Sequence, residues 1–223
     1  MGRIYVLLLA CFFDFGALNA QSTMPPQLYT QSIEQQHFDS LKQQYSKHKI
    51  LPPGFELQAL IALSYYPELT NAHIKFRVKK AKLPYASRPR LGSLLIPFAH
   101  KKYQIIISNQ SNALRAPTLL KNLEFNAQIG ALGHELAHTA HYRQSHKWKI
   151  LGESIWYLST HFKERFEKMT DRIAMEHGLC PQIYTWNKAV YPVKLKDGER
   201  AKIYYTPEEI LDICEGHNRF PHK

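Results

Sequence analysis

The chain reads as an α+β protein. Residues 72–80 alternate apolar and basic, with Ile74, Phe76 and Val78 one way and Lys75, Arg77 and Lys79 the other, the signature of a half-buried strand with a cationic outer face. Two further short apolar runs, Leu91 to Phe98 and Tyr103 to Ser108, follow in the same part of the chain. Beyond residue 125 the apolar spacing becomes helical and stays so over two long segments.

At 223 residues, 44% hydrophobic and 12% aromatic, the chain is one packed domain with at most an accessory arm, and composition excludes a disordered protein. Residues 1–20 read as a cleaved secretory signal. Met1-Gly2-Arg3 is a short positive start, Ile4 to Phe13 an apolar stretch too short to span a bilayer, and Leu18-Asn19-Ala20 ends in a small residue. The weaker alternative is Leu8-Leu9-Ala10-Cys11, which resembles a bacterial lipobox and would leave Cys11 lipidated. The expected divisions are then a polar arm over 21–50, a main domain over 51–179 and a C-terminal segment over 180–223 packed on it. Export to the periplasm or medium is expected, with no transmembrane span after cleavage.

Cleavage leaves Cys180 and Cys214, which in an oxidising compartment either pair or stay as two free buried thiols; the sequence leaves both open. The net charge of +11 favours weak contact with anionic envelope polymers or no partner beyond solvent. Nucleic acid is not an expected partner.

In chain order, Ser32 to Lys49 is a polar surface helix, broken by Leu51-Pro52-Pro53-Gly54. Phe55 to Tyr66 is a helix apolar on most of its circumference. The strand 72–80 follows, then a loop over Leu83 to Arg90 punctuated by Pro and Arg, then the two apolar runs. Asn109 to Phe125 is a linker with a short helix begun at Pro117. A mostly uncharged helix, capped by Asn126, covers Ala127 to Ala140. A second long helix runs from about Gly152 to His177, with Gly178 as its stop. Tyr191 to Tyr205 suits a hairpin about Lys196-Asp197-Gly198, and Thr206-Pro207-Glu208-Glu209 is a capping box opening a last helix.

The first long helix carries His134-Glu135-Leu136-Ala137-His138. Residues four apart on a helix lie about 6 Å apart along the axis and about 40° apart around it, so both imidazoles can converge on one cation. Glu135, a quarter-turn away, can reach a water in an open coordination position. Gly130 and Gly133 each cost this helix about 1 kcal/mol relative to Ala, which makes sense if a strand or ligand must come close. A catalytic zinc usually takes a third protein ligand. Glu167 and Asp171 share one face of the second helix: Glu167 suits the metal, and Asp171 suits the free ring N–H of a ligand histidine. Glu164 suits neither role. His141 lies about 10 Å along the axis from His134, too far to join the other two.

These residues resemble the gluzincin metallopeptidases, the H-E-x-x-H class with a downstream glutamate. Phe166-Glu167-x-x-x-Asp171-Arg172-x-Ala174 is similar to the E-x-x-x-D helix of thermolysin-like enzymes and their relatives, with Thr170 a departure from the usual acid-then-Ala pair. Phe125-Asn126-Ala127-Gln128, Leu132 to His138, Phe166-Glu167, Thr170-Asp171 and His177-Gly178-Leu179 also resemble segments of largely uncharacterised exported bacterial H-E-x-x-H proteins. The resemblance covers Phe55 to Leu179. It implies a zincin-like fold: a small, mainly antiparallel sheet lying over the two helices, its edge strand just upstream of the first, with Tyr103 to Ser108 as that edge. It implies Zn²⁺ on His134, His138 and Glu167, Glu135 as general base, and a peptide or protein substrate paired to the strand edge. His177, Tyr157 and Tyr142 are the possible donors to the oxyanion.

Two functions from different classes follow as expectations. One is an exported zinc metallopeptidase. The other is a zinc-stabilised envelope-binding protein with weak catalysis, acting through Lys75, Arg77, Lys79, Lys101 and Lys102.

Overall fold

The computed structural model describes residues 28–96, 100–196, 198 and 203–219. The expected signal segment and Cys11 lie outside them. Within them the elements run α1 (Gln31–Glu34), α2 (Phe38–Tyr45), β1 (Lys49–Ile50), α3 (Glu56–Ser64), β2 (His73–Lys79), β3 (Tyr85–Pro89), α4 (Leu91–Leu95), β4 (Lys102–Ser108), α5 (Phe125–Gln144), α6 (Lys147–Trp156), α7 (Thr160–Ala174), α8 (Cys180–Lys196) and α9 (Pro207–Arg219). The α+β class holds: one four-stranded sheet packs on helices. No helix of the described residues is long and apolar enough to cross a membrane.

The sheet is not mainly antiparallel. Its order is β1-β2-β4-β3; β1/β2 and β2/β4 are parallel, and only β3/β4 is antiparallel. The chain leaves β2, passes to the far side of the space beside it as β3, and returns through the gap as β4. Tyr103 to Ser108 therefore lies inside the sheet rather than at its edge. Its burial agrees, since Tyr103, Ile105, Ile106 and Ile107 are all buried, whereas an edge or one-sided strand alternates. β2 does alternate, with Ile74 and Phe76 buried and His73, Lys75 and Arg77 exposed.

The edge over the site is β3, from the stretch read as a loop. Ser108 donates its N–H to the Pro84 carbonyl and Arg90 donates to the Lys102 carbonyl. Alternate residues of an antiparallel strand bond to the partner, so the backbone groups of Tyr85, Ser87 and Pro89 point away from the sheet. Proline is tolerated at such a position because the N–H it lacks has no place in the ladder. The apolar run Leu91 to Phe98, placed with the expected strands, instead begins with the short helix α4 (Leu91–Leu95), which lies between β3 and β4 in the chain.

α5 is the centre of the fold. From Asn126 to Ala140 every residue but Gln128 is buried, and fully burying a side chain such as Ile129 or Leu132 contributes roughly 1.5–3 kcal/mol. Its N-cap is Glu124, whose carboxylate accepts the Ala127 N–H at 3.2 Å. Asn126 instead clamps the N-terminal arm, exchanging two hydrogen bonds with the Tyr29 backbone at 2.8 and 2.9 Å. At its far end Lys101 Nζ donates to the carbonyls of Tyr142, Arg143 and Ser145 at 2.6–2.8 Å. A cation there complements the negative end of the helix.

Gly130 and Gly133 serve a close approach, but by a helix rather than a strand or ligand. A Cβ on Gly130 would stand 2.1 Å from the Gln182 carbonyl oxygen, and one on Gly133 2.5 Å from Leu179 Cδ1. Both neighbours belong to α8 or the turn that leads into it. The second long helix is two. α6 ends at Trp156, Tyr157 to Ser159 turn the chain, and Ser159, in an extended conformation, starts α7. Gly178, at φ 97°, kinks the chain rather than stopping it, and α8 follows at once. Tyr191 to Lys196 belongs to α8, not to a hairpin; most of 197–202 lies outside the described residues. Cys180 and Cys214 form a disulfide, which ties α9 to the start of α8. The capping box before α9 is made at both ends, Glu209 accepting from the Thr206 N–H at 2.7 Å and Thr206 from the Glu209 N–H at 3.2 Å.

Candidate metal site

The ligand atoms of His134, His138 and Glu167 lie within 4.8 Å of one another, and all three residues are buried. Helix geometry puts the two histidines on one face of α5, and α7 packs across that face and brings Glu167 to them. Glu167 Oε2 is 3.1 Å from His134 Nε2 and 3.6 Å from His138 Nε2. Both rings therefore turn Nε2 towards the same point, and both are held that way from behind. His134 Nδ1 lies 2.7 Å from Asp171 Oδ1, the partner its spacing predicts. His138 Nδ1 lies 3.1 Å from Thr170 Oγ1.

Thr170 is the residue that sequence reasoning missed. Its hydroxyl donates to the Phe166 carbonyl at 2.8 Å, so towards His138 it can only accept. The imidazole must then carry its proton on Nδ1 and leave the Nε2 lone pair for the cluster. Two nitrogen donors and one carboxylate oxygen, each with its back hydrogen-bonded, fit a divalent metal ion and leave a coordination position for a further ligand.

The electrostatics agree. Burial opposes a charge on His134, but Asp171 and Glu167 outweigh it and raise its pKa to about 10. Burial likewise opposes charge on Glu167, yet the His134 hydrogen bond and the adjacent His138 ring hold it well below the ordinary carboxylate range. The buried Asp171 and Glu167 carboxylates thus favour positive charge beside them. Glu135 differs: burial dominates and raises its pKa, and only in part do His138, His134 and the Ser87 backbone N–H counter it. Its Oε2 is buried without a hydrogen-bond partner. A carboxylate with a raised pKa and an unused oxygen is a ready proton acceptor.

His134, Glu135, His138 and Glu167 open onto a pocket of about 440 Å³, walled by β3, α6, α7 and α8. Tyr142 and Tyr157 line it. The Tyr157 hydroxyl donates to Glu167 Oε1, and the turn between α6 and α7 puts it there. His177 is elsewhere. Its ring stacks on Tyr66, with Nε2 3.0 Å from Glu68 Oε1 and Nδ1 2.7 Å from the Ile173 carbonyl, so it does not face the pocket as a donor to the oxyanion. His141 is bonded to Glu153 at 3.1 Å, and Glu164 pairs with Lys168 on the surface. α8 adds Trp186, Val190, Val193 and Lys194 to the wall, none of which the sequence singled out.

Compared with protein-family models, with curated proteins and with solved structures, the chain matches none.

Proposed function

We propose that this protein is an exported zinc metallopeptidase of gluzincin type. The single observation that carries this reading is the buried Glu135 carboxylate, its Oε2 without a hydrogen-bond partner, beside a two-histidine, one-carboxylate cluster. A metal that only braced the fold would have no use for that carboxylate, and burying it costs stability.

His134, His138 and Glu167 would hold the ion, with Asp171 and Thr170 fixing the two rings. The donor set suits zinc, which when bound lowers the pKa of a water molecule and polarises a carbonyl oxygen. Glu135 takes the proton from the attacking water as the new C–O bond forms. It then hands that proton to the amine nitrogen as the C–N bond breaks. With the Tyr157 proton committed to Glu167, Tyr142, which lines the same pocket, is the side chain left to donate to the developing oxyanion.

An extended substrate has a template in β3. The outward N–H and carbonyl of Tyr85 and the carbonyls of Ser87 and Pro89 offer a donor and acceptors along the pocket rim, the Ser87 N–H being taken by Glu135; strand addition of this kind needs main-chain geometry rather than side-chain identity. The Cys180–Cys214 disulfide suits an oxidising compartment, which supports export to the periplasm or medium and substrates in the cell envelope. The exposed Lys75 and Arg77 on β2 favour weak contact with anionic envelope polymers. With Lys79 and the exposed Lys102 they are also what remains of the second reading, an envelope-binding protein, since Lys101 is taken up by the end of α5.

Glu135→Gln separates the two. Hydrolysis of unstructured protein substrates should fall by a factor of about 100 or more while metal content is unchanged. Full hydrolysis by that variant, or none by the unmodified chain loaded with zinc, would contradict the peptidase reading.

A further inference from the structure

Lys194 is a buried cation that no described acceptor reaches. It projects from the last turns of α8 into the pocket that His134 and Glu135 share. Its Nζ is shut off from solvent and, among the described residues, has no hydrogen-bond partner. It faces aromatic rings instead, 3.4 Å from the ring centre of Tyr204 and 4.8 Å from that of Trp186. Ring faces attract a cation, but they leave an ammonium group's three N–H donors without acceptors. A buried ammonium in that condition is costly unless something brings an acceptor to it. Burial lowers its pKa to about 8, against the pull of Asp171 and Glu167, which act on it only at a distance.

Its position relative to the metal site follows from Trp186. The indole packs 5.0 Å from the His134 ring, centre to centre, and Lys194 Nζ lies over the same indole. The ammonium is therefore no farther from the His134 ring than those two spacings laid end to end, about three residues of extended chain. Arg88, Arg115 and Lys163 line the same pocket and add to its positive potential.

We propose that Lys194, enclosed by Trp186 and Tyr204, binds a carboxylate carried by the substrate within a few residues of the bond at the metal site. The carboxylate oxygens accept from the ammonium and meet its unused donors as the Lys194 chain extends Nζ from between the rings into the pocket it lines. An uncharged group in the same place leaves the ammonium unmet, so the pocket selects by charge. The carboxylate has two sources, the free C-terminus of a peptide or an acidic side chain beside the scissile bond. The proposal rests on the reading that this pocket takes peptides.

The test is equilibrium binding to the full chain carrying Glu135→Gln, in the presence of zinc ion, so that the ligand persists. Three N-acetylated tetra-alanine probes are compared: one with a free C-terminal carboxylate, one with a C-terminal amide, and an amide with one alanine replaced by glutamate. One of the two carboxylate probes should bind at least about tenfold more tightly than the neutral amide, and which one identifies the source. That advantage should shrink to less than about twofold with Lys194→Met and survive Lys194→Arg; Lys194→Gln replaces the methionine variant if that one does not fold. Equal binding of all three probes, no binding of any, or an advantage that survives Lys194→Met overturns the proposal. A charge preference that depends on Lys194, in a protein whose intact Glu135 form cleaves no peptide, would leave the carboxylate site standing and remove the peptidase reading alone.

Discussion

Thr170 Oγ1 accepts from His138 Nδ1 across 3.1 Å because its own proton is committed to the Phe166 carbonyl at 2.8 Å. A hydroxyl fixed in that sense fixes the tautomer of the ring it serves, and the ring's other nitrogen becomes the ligand. Thr170→Val keeps the shape and removes the acceptor. Affinity for zinc, measured by competition with a chelator, should fall by about 10-fold to 100-fold, and Thr170→Ser should retain most of it. Unchanged affinity in the valine variant would mean that the hydroxyl does not hold the ring.

Gly130 makes a prediction about the fold alone. A Cβ there would meet the backbone oxygen of Gln182 at 2.1 Å, and backbone cannot step aside as a side chain can. Gly130→Ala should destabilise the protein by about 2–3 kcal/mol in chemical denaturation, although alanine is the better helix former. Gly152→Ala, on α6 with nothing within 4 Å of its Cβ, should instead stabilise by up to about 1 kcal/mol. Equal effects at the two positions would contradict the close approach of α8 to α5.

The metal-site residues were legible because a helix gives spacing a fixed meaning. His134 and His138 had to share a face, as did Glu167 and Asp171, and the structure brings the two faces together. Thr170 was less visible, since a hydroxyl between two acids reads as a departure from a pattern until its partner is seen. The sheet was legible only in part. Local alternation marked β2, but strand order depends on pairings between distant residues, and nothing in Tyr103 to Ser108 says which neighbours it takes. β3 was hidden by Pro84 and Pro89, which ordinarily argue against a strand; here Pro84 precedes the strand and Pro89 occupies a position whose missing N–H costs nothing. The break between α6 and α7 was hidden because apolar spacing continues across Tyr157 to Ser159. Lys194 could not be foreseen, because only the fold brings Trp186 and Tyr204 around it.

His177 supplies a pH dependence away from the metal site. Burial lowers its pKa, but the 3.0 Å contact with Glu68, the Glu68 charge and the Ile173 carbonyl outweigh that and raise it overall. With the folded pKa above the unfolded value of about 6.5, the stabilisation is complete below that pH and is lost as the pH rises through the folded value. Glu68→Gln should therefore lower the thermal midpoint most at about pH 5.5 and least at about pH 8.5, the widest gap corresponding to about 1 kcal/mol. A gap that is constant with pH, or that widens on the alkaline side, would contradict the pairing.

The most direct measurement is the metal content of the purified chain after loading with zinc and exhaustive dialysis, alongside Glu167→Ala and His138→Ala. The chain should retain about one ion per molecule, and each variant should retain almost none while still folding. A chain that retains no metal, or a Glu167→Ala variant that holds it as tightly as the unaltered protein, would contradict a site closed by side chains from α5 and α7.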